Sequence, residues 1–352
     1  MTGAERLLAA CRGEPVDATP VWFMRQAGGR LPGYLALRER HSVMEIAKTP
    51  ELCAEVTVGA VDALGVDGAV LFADIMLLVE AMGVEVELTS GGPVIPRQVR
   101  SAAEVAALRP VDPEADLGFV LEAIRHVRAE LAGRAAVIGI VGGPFTLAAY
   151  LIEGAPSRDQ LHARALMHGQ PAEWHALLER LTDATVAYAR AQERAGADLI
   201  QCFDTWAASL TAAEYARFVA PYARRILEAV SVPTVHHVAR SAPLLEAVGR
   251  AGGTVVGIDS RQDLAAARRA LGPDRPVQGN LDAALVLAGS TLARRGATGV
   301  LAAAGPRGHV FNLGEAAPRD AHPSVLRDLV GFVHEESAAR RAPTAREVAA
   351  HV

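Results

Sequence analysis

The chain has 352 residues, of which 51% are hydrophobic and 21% charged, so it can bury a full core and is not a disordered chain. The net charge of −5 and the pI of about 6.1 give no global basic field for nucleic acid or an acidic membrane surface. We therefore expect neither partner, and we expect any anionic ligand to be held by individual arginines. Cys11, Cys53 and Cys202 are odd in number and far apart, which indicates no disulfide framework and no zinc knuckle and favours a reducing cytoplasm.

The start of the chain lacks the basic and apolar pattern of a signal peptide. Residues 135–152 carry no charge and reach the roughly 18 residues that a membrane helix needs. At the centre of this segment stands Gly142-Gly143-Pro144, which favours a buried strand, a tight turn and a helix start instead. We expect no membrane segment here.

Short apolar runs alternate with longer helical patterns along the chain. Continuous apolar runs are typical of strands that are buried on both faces of a parallel sheet. Eight such units without a break in composition predict a single (β/α)8 TIM barrel over residues 1–352, with a peripheral helix or frayed tail from about residue 338. A doubly wound open sheet is the alternative, although its glycine-rich phosphate motif is missing. The predicted strands are 20–24, 68–73, 136–141, 198–203, 233–237, 254–259, 275–279 and 309–313.

Helix starts are indicated between these strands by the chemistry of their first residues. Ser101 with Glu104, Ser157 with Gln160, and Thr211 with Glu214 have the spacing of capping boxes. Thr49-Pro50 predicts a cap followed by proline at the first helical position. Asp259-Ser260 has the composition of a further helix cap, and Asn280 and Asp282 are expected to fix loop geometry.

Functional residues of such a barrel lie at the carboxyl ends of the strands and in the loops that follow. Polar and glycine residues gather at these positions in strand after strand. They include Arg25 to Arg30, Asp74, residues 142–146, Asp204 to Trp206, the pair His236 and His237, and Asn312 to Glu315.

Six blocks of this chain resemble the uroporphyrinogen decarboxylase family, in family order. The first, residues 20–28 with Leu31-Pro32, is similar to the pattern P-[VIL]-W-x-M-R-Q-A-G-R-Y-L-P-E-Y-R. The others are LFADI (71–75), GGPFTLAAYLIEG (142–154), IQCFDTWA (200–207), VQGNLD (277–282) and GHVFNLG (308–314). The resemblance extends from about residue 4 to residue 337.

The resemblance implies a cytoplasmic, homodimeric enzyme that converts the acetate side chains of a cyclic tetrapyrrole to methyl groups without a metal or organic cofactor. It implies that Asp74 is the acid that stabilises a cationic pyrrole, although Asp74 could instead cap the following helix. It implies that Arg25 holds or protonates the substrate, the alternative being an ion pair within its loop. The implied substrate-binding residues are Gln26, Ala27, Arg30, Arg38, Phe145, Tyr150, Thr205 and Glu315.

Several substrate-holding positions depart from the family pattern. Gly29 stands where the family has a second arginine, Arg30 stands at a tyrosine position, and Glu315 stands where a histidine follows Asn-Leu-Gly. Thr205 replaces a serine and keeps the hydroxyl, and Leu35 replaces an arginine while Arg38 matches one nearby. Because Glu315 is expected to point into the barrel mouth, it should repel a polycarboxylate, and we expect that Glu315→His with Gly29→Arg would raise turnover.

These departures leave several functions open. The first is decarboxylation of uroporphyrinogen itself, and the second is decarboxylation of a different pyrrole-like or heteroaromatic acid with Asp74 and Arg25 kept. Methyl transfer to or from a corrinoid or thiol is remote, since related methyltransferases use cysteine ligands for zinc and Cys202 is the last cysteine. A binding protein without catalysis is the fourth, and the presence of Asp74 and Arg25 argues against it. His236 and His237 are either structural or substrate-lining residues, and we favour a structural role.

Overall fold

A curled sheet of parallel strands forms the centre of the computed structural model, which describes residues 1–89 and 91–341. The strands are β1 (Gly68–Val70), β2 (Glu87–Thr89), β3 (Gly92–Val94), β4 (Ala136–Gly142), β5 (Leu199–Phe203), β6 (Thr234–His237), β7 (Val255–Gly257), β8 (Val277–Gln278) and β9 (His309–Val310). Seven of them lie in the order β1-β4-β5-β6-β7-β8-β9, each parallel to its neighbour. β2 and β3 pair separately as an antiparallel hairpin.

The predicted first strand, residues 20–24, closes the sheet without being a regular strand. On one side Val21 forms a parallel bridge with Phe311, next to β9. On the other side the amide of Asp67 donates to the carbonyl of Val21 at 2.8 Å, while the Asp67 carboxylate accepts from the Val21 amide at 2.7 Å. The Asp67 side chain thus takes the place of a partner strand at Val21. The segment is short, since Pro20 has no amide proton and the chain turns after Phe23. The other seven predicted strands are confirmed, most of them shorter than predicted, and the fold is a (β/α)8 barrel.

Helices surround the sheet, as in other α/β barrels, and their apolar residues join the strands in one contiguous core. The helices are α1 (Gly3–Cys11), α2 (Pro32–Arg38), α3 (Val43–Lys48), α4 (Pro50–Leu64), α5 (Met76–Ala81), α6 (Ala102–Ala107), α7 (Pro113–Asp116), α8 (Gly118–Leu131), α9 (Pro144–Glu153), α10 (Leu161–Gly169), α11 (Pro171–Ala195), α12 (Ala212–Phe218), α13 (Ala220–Leu227), α14 (Leu245–Ala251), α15 (Leu264–Leu271), α16 (Ala283–Leu287), α17 (Ser290–Ala304) and α18 (Pro323–Arg341), with 3₁₀ turns at Thr205–Ser209 and Ala242–Leu244.

Most of the predicted helix starts are confirmed. Ser101 and Thr211 form complete capping boxes at the starts of α6 and α12, and α4 begins with Pro50 after Thr49. Asp282 caps α16. Two predictions are wrong: Ser157 accepts the Gln160 amide within a turn, but α10 starts only at Leu161, and the cap of α15 is Asp263 rather than Asp259.

The uncharged segment 135–152 forms β4, a turn and the first part of α9, as the prediction of a strand, turn and helix required. Within the described residues, no helix combines the length and the apolarity that a membrane crossing requires. The predicted tail from about 338 begins inside α18, where Arg341 donates to the Thr19 hydroxyl at 2.9 Å. The rest of that tail, from residue 342, lies outside the described residues.

Candidate active site

Loops at the carboxyl end of the sheet bring together four of the side chains that the sequence singles out. Arg25 follows the closing segment, Asp74 follows β1, Tyr150 lies on α9 and Trp206 follows β5. The rings of Tyr150 and Trp206 meet edge to face, with centroids 5.9 Å apart. Burial raises the pKa of the Tyr150 phenol, the Asp74 carboxylate raises it further, and the Arg25 guanidinium lowers it. The acid, the cation and the phenol therefore lie close enough for their charges to act on one another.

Asp74 has one oxygen committed to the protein and one available. Its Oδ1 accepts the amide of Met76, the first residue of α5, at 2.8 Å, whereas the N-cap of that helix is Ile75 and has no side-chain cap. Its other oxygen accepts no hydrogen bond from the described residues, and the side chain is half-buried rather than enclosed. Burial raises the pKa of the Asp74 carboxyl, while the Met76 amide and Arg25 lower it. Asp74 can therefore hold the first amide of α5 and still offer an oxygen to a ligand.

The loop that carries Asp74 is held in place by two side chains of α4, Cys53 and Thr57. The sequence did not indicate this role for either residue. The amide of Phe72 donates to the hydroxyl of Thr57 at 3.0 Å, and the thiol of Cys53 donates to the carbonyl of Phe72 at 3.2 Å. The Thr57 hydroxyl in turn donates to the Cys53 carbonyl at 2.7 Å. Both backbone groups of Phe72 are thereby held two residues before Asp74, which limits the movement of the carboxylate. Such support restricts a functional side chain to one geometry.

Arg25 lies in an unusual backbone conformation. Its φ of 61° is in the left-handed region, which a residue with a Cβ adopts at a cost of about 1 kcal/mol or more. The side chain is exposed and close enough to Asp74 to lower the pKa of that carboxyl. The chain thus maintains local strain while presenting a guanidinium beside the acid, a combination that recurs at functional sites.

Tyr150 and Trp206 are connected below the site by the buried acid Asp204, which the sequence placed at the end of a strand without assigning it a role. Asp204, at 0% exposure, accepts the Thr146 amide near the start of α9 through Oδ1 at 2.8 Å. The Thr146 hydroxyl accepts the amide of Trp206 at 3.1 Å. A Cβ on Gly143 would lie 2.3 Å from that of Asp204, so only glycine permits this approach. The network joins the helix that carries Tyr150 to the turn that carries Trp206.

Three residues expected to bind substrate have structural positions instead. Gln26, at 2% exposure, accepts the Phe23 amide at 2.9 Å and donates to the Gly68 carbonyl at 2.7 Å, which ties the Arg25 loop to β1. Ala27 is buried beside it. The ring of Phe145 is fully buried and packs against Trp174 with centroids 5.7 Å apart. Their side chains build the loops of the site and present almost no surface to a ligand.

The remaining polar candidates lie at the surface or are half-buried. Arg30 is exposed and lies 3.8 Å from a carboxylate oxygen of the equally exposed Asp320. Arg38 is exposed and donates to the His41 carbonyl at the end of α2. Thr205 is half-buried next to Trp206 and starts the 3₁₀ turn. Thr205 and Arg30 are available to a ligand, whereas Arg38 is engaged with its own loop.

Glu315 does not present its carboxylate to solvent. Its Oε1 accepts the hydroxyl of Ser260, and its Oε2 is enclosed without a hydrogen-bond partner among the described residues. The approach of the two loops is close, because a Cβ on Gly314 would lie 2.0 Å from the Ser260 amide nitrogen. The expectation that Glu315 points openly into the mouth and repels a substrate is therefore corrected, since the carboxylate is bound to a neighbouring loop.

Gly29 occupies a position that an arginine could not take without strain. Its φ is 65°, and a Cβ there would lie 3.1 Å from the carbonyl oxygen of Arg319. The expectation that Gly29→Arg would restore a family cation is corrected accordingly, because left-handed backbone and a close carbonyl both oppose a side chain.

His236 and His237 lie inside the barrel, as expected for structural residues. His236 is hydrogen-bonded to the Tyr215 hydroxyl at 3.2 Å, and His237 packs edge-on against Phe203. Burial lowers the pKa of both imidazoles to about 4. No group of three or more histidine, cysteine, aspartate or glutamate side chains with the geometry of a metal site occurs within 1–89 and 91–341.

A half-buried acid, an exposed guanidinium and a phenol at the carboxyl end of a closed parallel sheet define a (β/α)8-barrel enzyme. Known proteins identify its family. Residues 2–336 match the model of the family described as uroporphyrinogen decarboxylase (URO-D). The chain is 45% identical to uroporphyrinogen decarboxylase of Roseiflexus sp., covering 95% of this chain and 99% of that protein. It is 46% identical to that of a Thermus thermophilus strain, covering 94% and 98%.

Solved structures agree on the fold. A methyltransferase from Methanosarcina mazei superposes with a TM-score of 0.78 at 22% identity, covering 95% of this chain and 99% of that one. A B12-independent methionine synthase from Shewanella sp. superposes with a TM-score of 0.51 at 10% identity, covering 89% and 92%. At such identities the likeness concerns the fold alone. The chain belongs to the uroporphyrinogen decarboxylase family and is a carboxy-lyase, and the methyltransferase and binding-protein alternatives are not favoured.

Proposed function

We propose that this protein decarboxylates uroporphyrinogen to coproporphyrinogen, removing the carboxyl groups of the acetate side chains without a metal or organic cofactor. The observation that carries the proposal is the free oxygen of half-buried Asp74 beside Arg25, in a chain 45% identical to a named uroporphyrinogen decarboxylase over 95% of its length. We further propose that it works as a homodimer in the cytoplasm, as a single domain over residues 1–352.

The reaction needs an electron sink that accepts the electron pair left behind by the departing carboxylate. Protonation of a pyrrole carbon makes the ring cationic, the bond between the methylene and the carboxylate breaks, and its electron pair enters the ring as carbon dioxide leaves. A proton then adds to the methylene carbon to give a methyl group, and the ring carbon returns its proton. The protein must therefore stabilise a cation that exists only during the reaction.

Asp74 is suited to this task because its carboxylate is partly withdrawn from water. In the protein without a ligand, burial raises the pKa of the Asp74 carboxyl. A bound pyrrole would favour the ionised carboxylate through its N–H donors and its developing positive charge. The Met76 amide keeps the carboxylate oriented without occupying both oxygens. Such preorganised charge costs little reorganisation when the cation forms.

Arg25 and Tyr150 complete the proposed site. Arg25 is placed to bind the acetate carboxylate next to Asp74 or to deliver the proton, because it is exposed and electrostatically coupled to that acid. Tyr150 lies near both charges and offers a hydroxyl at the edge of Trp206. Arg30 and Thr205 are the further surface groups that we propose contact the substrate.

The test is anaerobic turnover of uroporphyrinogen with separation of the products by their number of carboxyl groups. We expect products with seven, six, five and four carboxyl groups from the parent protein and a near-total loss in Asp74→Asn. The parent protein could instead leave uroporphyrinogen unchanged and decarboxylate another pyrrole acid in an Asp74-dependent way. That outcome would refute the proposed substrate but not the assignment as a carboxy-lyase. Light scattering of the purified protein checks the homodimer, since a monomer mass would refute it.

A further inference from the structure

Two loops at the mouth of the barrel form one unit. The Arg25 loop (residues 24–30) is joined to the β9 loop (residues 315–320) by a hydrogen bond from the Ala317 amide to the Met24 carbonyl, at 2.8 Å. A second contact is that of Arg30 with Asp320, at 3.8 Å. Residues of the β9 loop therefore lie beside the residue that the proposed function places against the substrate.

Within this unit the backbone of Arg319 fills the place where a side chain at position 29 would begin. A Cβ on Gly29 would meet the Arg319 carbonyl oxygen at 3.1 Å and the Arg319 Cα at 3.7 Å. With the φ of Gly29 at 65°, a side chain at position 29 would be strained, and the Arg319 backbone would have to shift by a few tenths of an ångström. The β9 loop carries an arginine of its own, Arg319, whose backbone lies against Gly29.

The charges of the two loops single out Arg319. Its side chain is exposed and makes neither an ion pair nor a hydrogen bond within the part of the chain that the structure describes. The nearby acids are engaged: Glu315 accepts the Ser260 hydroxyl, and Asp320 lies next to Arg30. Arg319 thus adds an unpaired positive charge to the β9 loop, which is hydrogen-bonded to the Arg25 loop.

We propose that Arg319 binds a carboxylate of the substrate and is a determinant of specificity for polycarboxylates. This inference rests on the proposed function, and it assigns to the β9 loop the cation that the family pattern has at position 29. A guanidinium suits the role because it presents paired N–H donors that match the two oxygens of a carboxylate. Arg30, on the other side of Gly29, is available to a second carboxylate.

The experiment compares Arg319→Gln and Arg319→Met with the parent in steady-state turnover of uroporphyrinogen. Arg269→Gln, on the exposed face of α15, is the matched control for loss of a surface arginine. We expect both Arg319 variants to raise KM about tenfold with kcat within about twofold, because a charge-assisted contact to a bound carboxylate is lost. We expect Arg319→Lys to recover part of the loss, and the control to match the parent.

A second readout separates binding from a change in folding. Raising the salt concentration should increase the KM of the parent more than that of Arg319→Gln, since one screened charge contact has been removed. A KM within twofold of the parent in both neutral variants would overturn the assignment of Arg319. No turnover of uroporphyrinogen by the parent would instead overturn the proposed function, so the two failures are distinguishable.

Discussion

The buried carboxyl of Asp204 predicts an unusual dependence of stability on pH. The side chain has no exposed surface, and only Oδ1 has a hydrogen-bond partner, the amide of Thr146 at 2.8 Å. Oδ2 is enclosed without a partner among the described residues. Burial raises the pKa of Asp204 from its ordinary value of 3.8 to about 6, although the Thr146 amide and hydroxyl and the nearby Phe145 amide lower it. The folded protein therefore favours the protonated acid.

The size of the effect follows from that pKa. Between 3.8 and about 6 the folded state holds a proton that the unfolded state has released. Stability consequently falls as the pH rises through this window, and the loss is complete above it. A tenfold change in acidity corresponds to about 1.4 kcal/mol, so Asp204 costs about 3 kcal/mol of folding free energy at pH 8.

Asp204→Asn removes the titration and keeps an oxygen that can accept the Thr146 amide. An enclosed amide N–H in place of Oδ2 costs about 1 to 3 kcal/mol at every pH, so the absolute stability of the variant is less informative than its pH dependence. We expect the free energy of unfolding of the variant, minus that of the parent, to rise by about 2 to 3 kcal/mol between pH 4 and pH 8.

Urea unfolding of both proteins across that range measures this difference. All other titrating groups are shared by the two proteins and cancel, provided that the slope against urea is the same in both. A difference that stays constant to within about 0.5 kcal/mol from pH 4 to pH 8 would refute the reasoning, since it would mean that Asp204 ionises alike in the folded and unfolded states.

Three further predictions concern the site. Asp74→Asn keeps an oxygen for the Met76 amide but loses the charge, so kcat should fall about a hundredfold or more; turnover within threefold of the parent would exclude the role. Gly29→Ala should lower the free energy of unfolding by about 1 kcal/mol or more, because the φ of Gly29 is left-handed. The control Gly33→Ala in α2, which has open space around it, should be neutral or stabilising. Urea unfolding measures both, and equal effects of the two substitutions would contradict backbone strain at Gly29. Exhaustive chelation should leave uroporphyrinogen turnover unchanged, and stoichiometric zinc in purified active enzyme would count against cofactor-free chemistry.

The barrel could be predicted from the sequence because buried parallel strands are apolar without interruption. β4 and β5 show this directly, since β4 is buried at every residue and β5 at all but Phe203. The hairpin of β2 and β3 was missed, although Val84, Val86 and Leu88 alternate with polar residues before Gly91-Gly92, a pattern typical of a hairpin. Its strands are partly exposed and lie outside the barrel, so a search for continuous apolar runs could not find it.

Within the site, the resemblance located the loops but could not separate ligand-contacting residues from those that build the loops. Gln26 and Arg25 are adjacent in the same motif, yet Gln26 is buried against Gly68 while Arg25 is exposed. A sequence motif contains ligand-contacting residues and loop-building residues together, because both are needed for the same local structure. Thr57 and Asp204 act across long sequence separations through hydrogen bonds, so no spacing in the chain indicates their role.

The departures from the family pattern at Gly29 and Glu315 are physically connected. Each position lies on one of two loops that are joined through Met24 and Ala317, and the glycine accommodates the backbone of Arg319. A substitution at Gly29 alone would meet that backbone, and one at Glu315 alone would leave the Ser260 hydroxyl without its acceptor. A change at position 29 and a change at Arg319 therefore affect the same contact between the two loops.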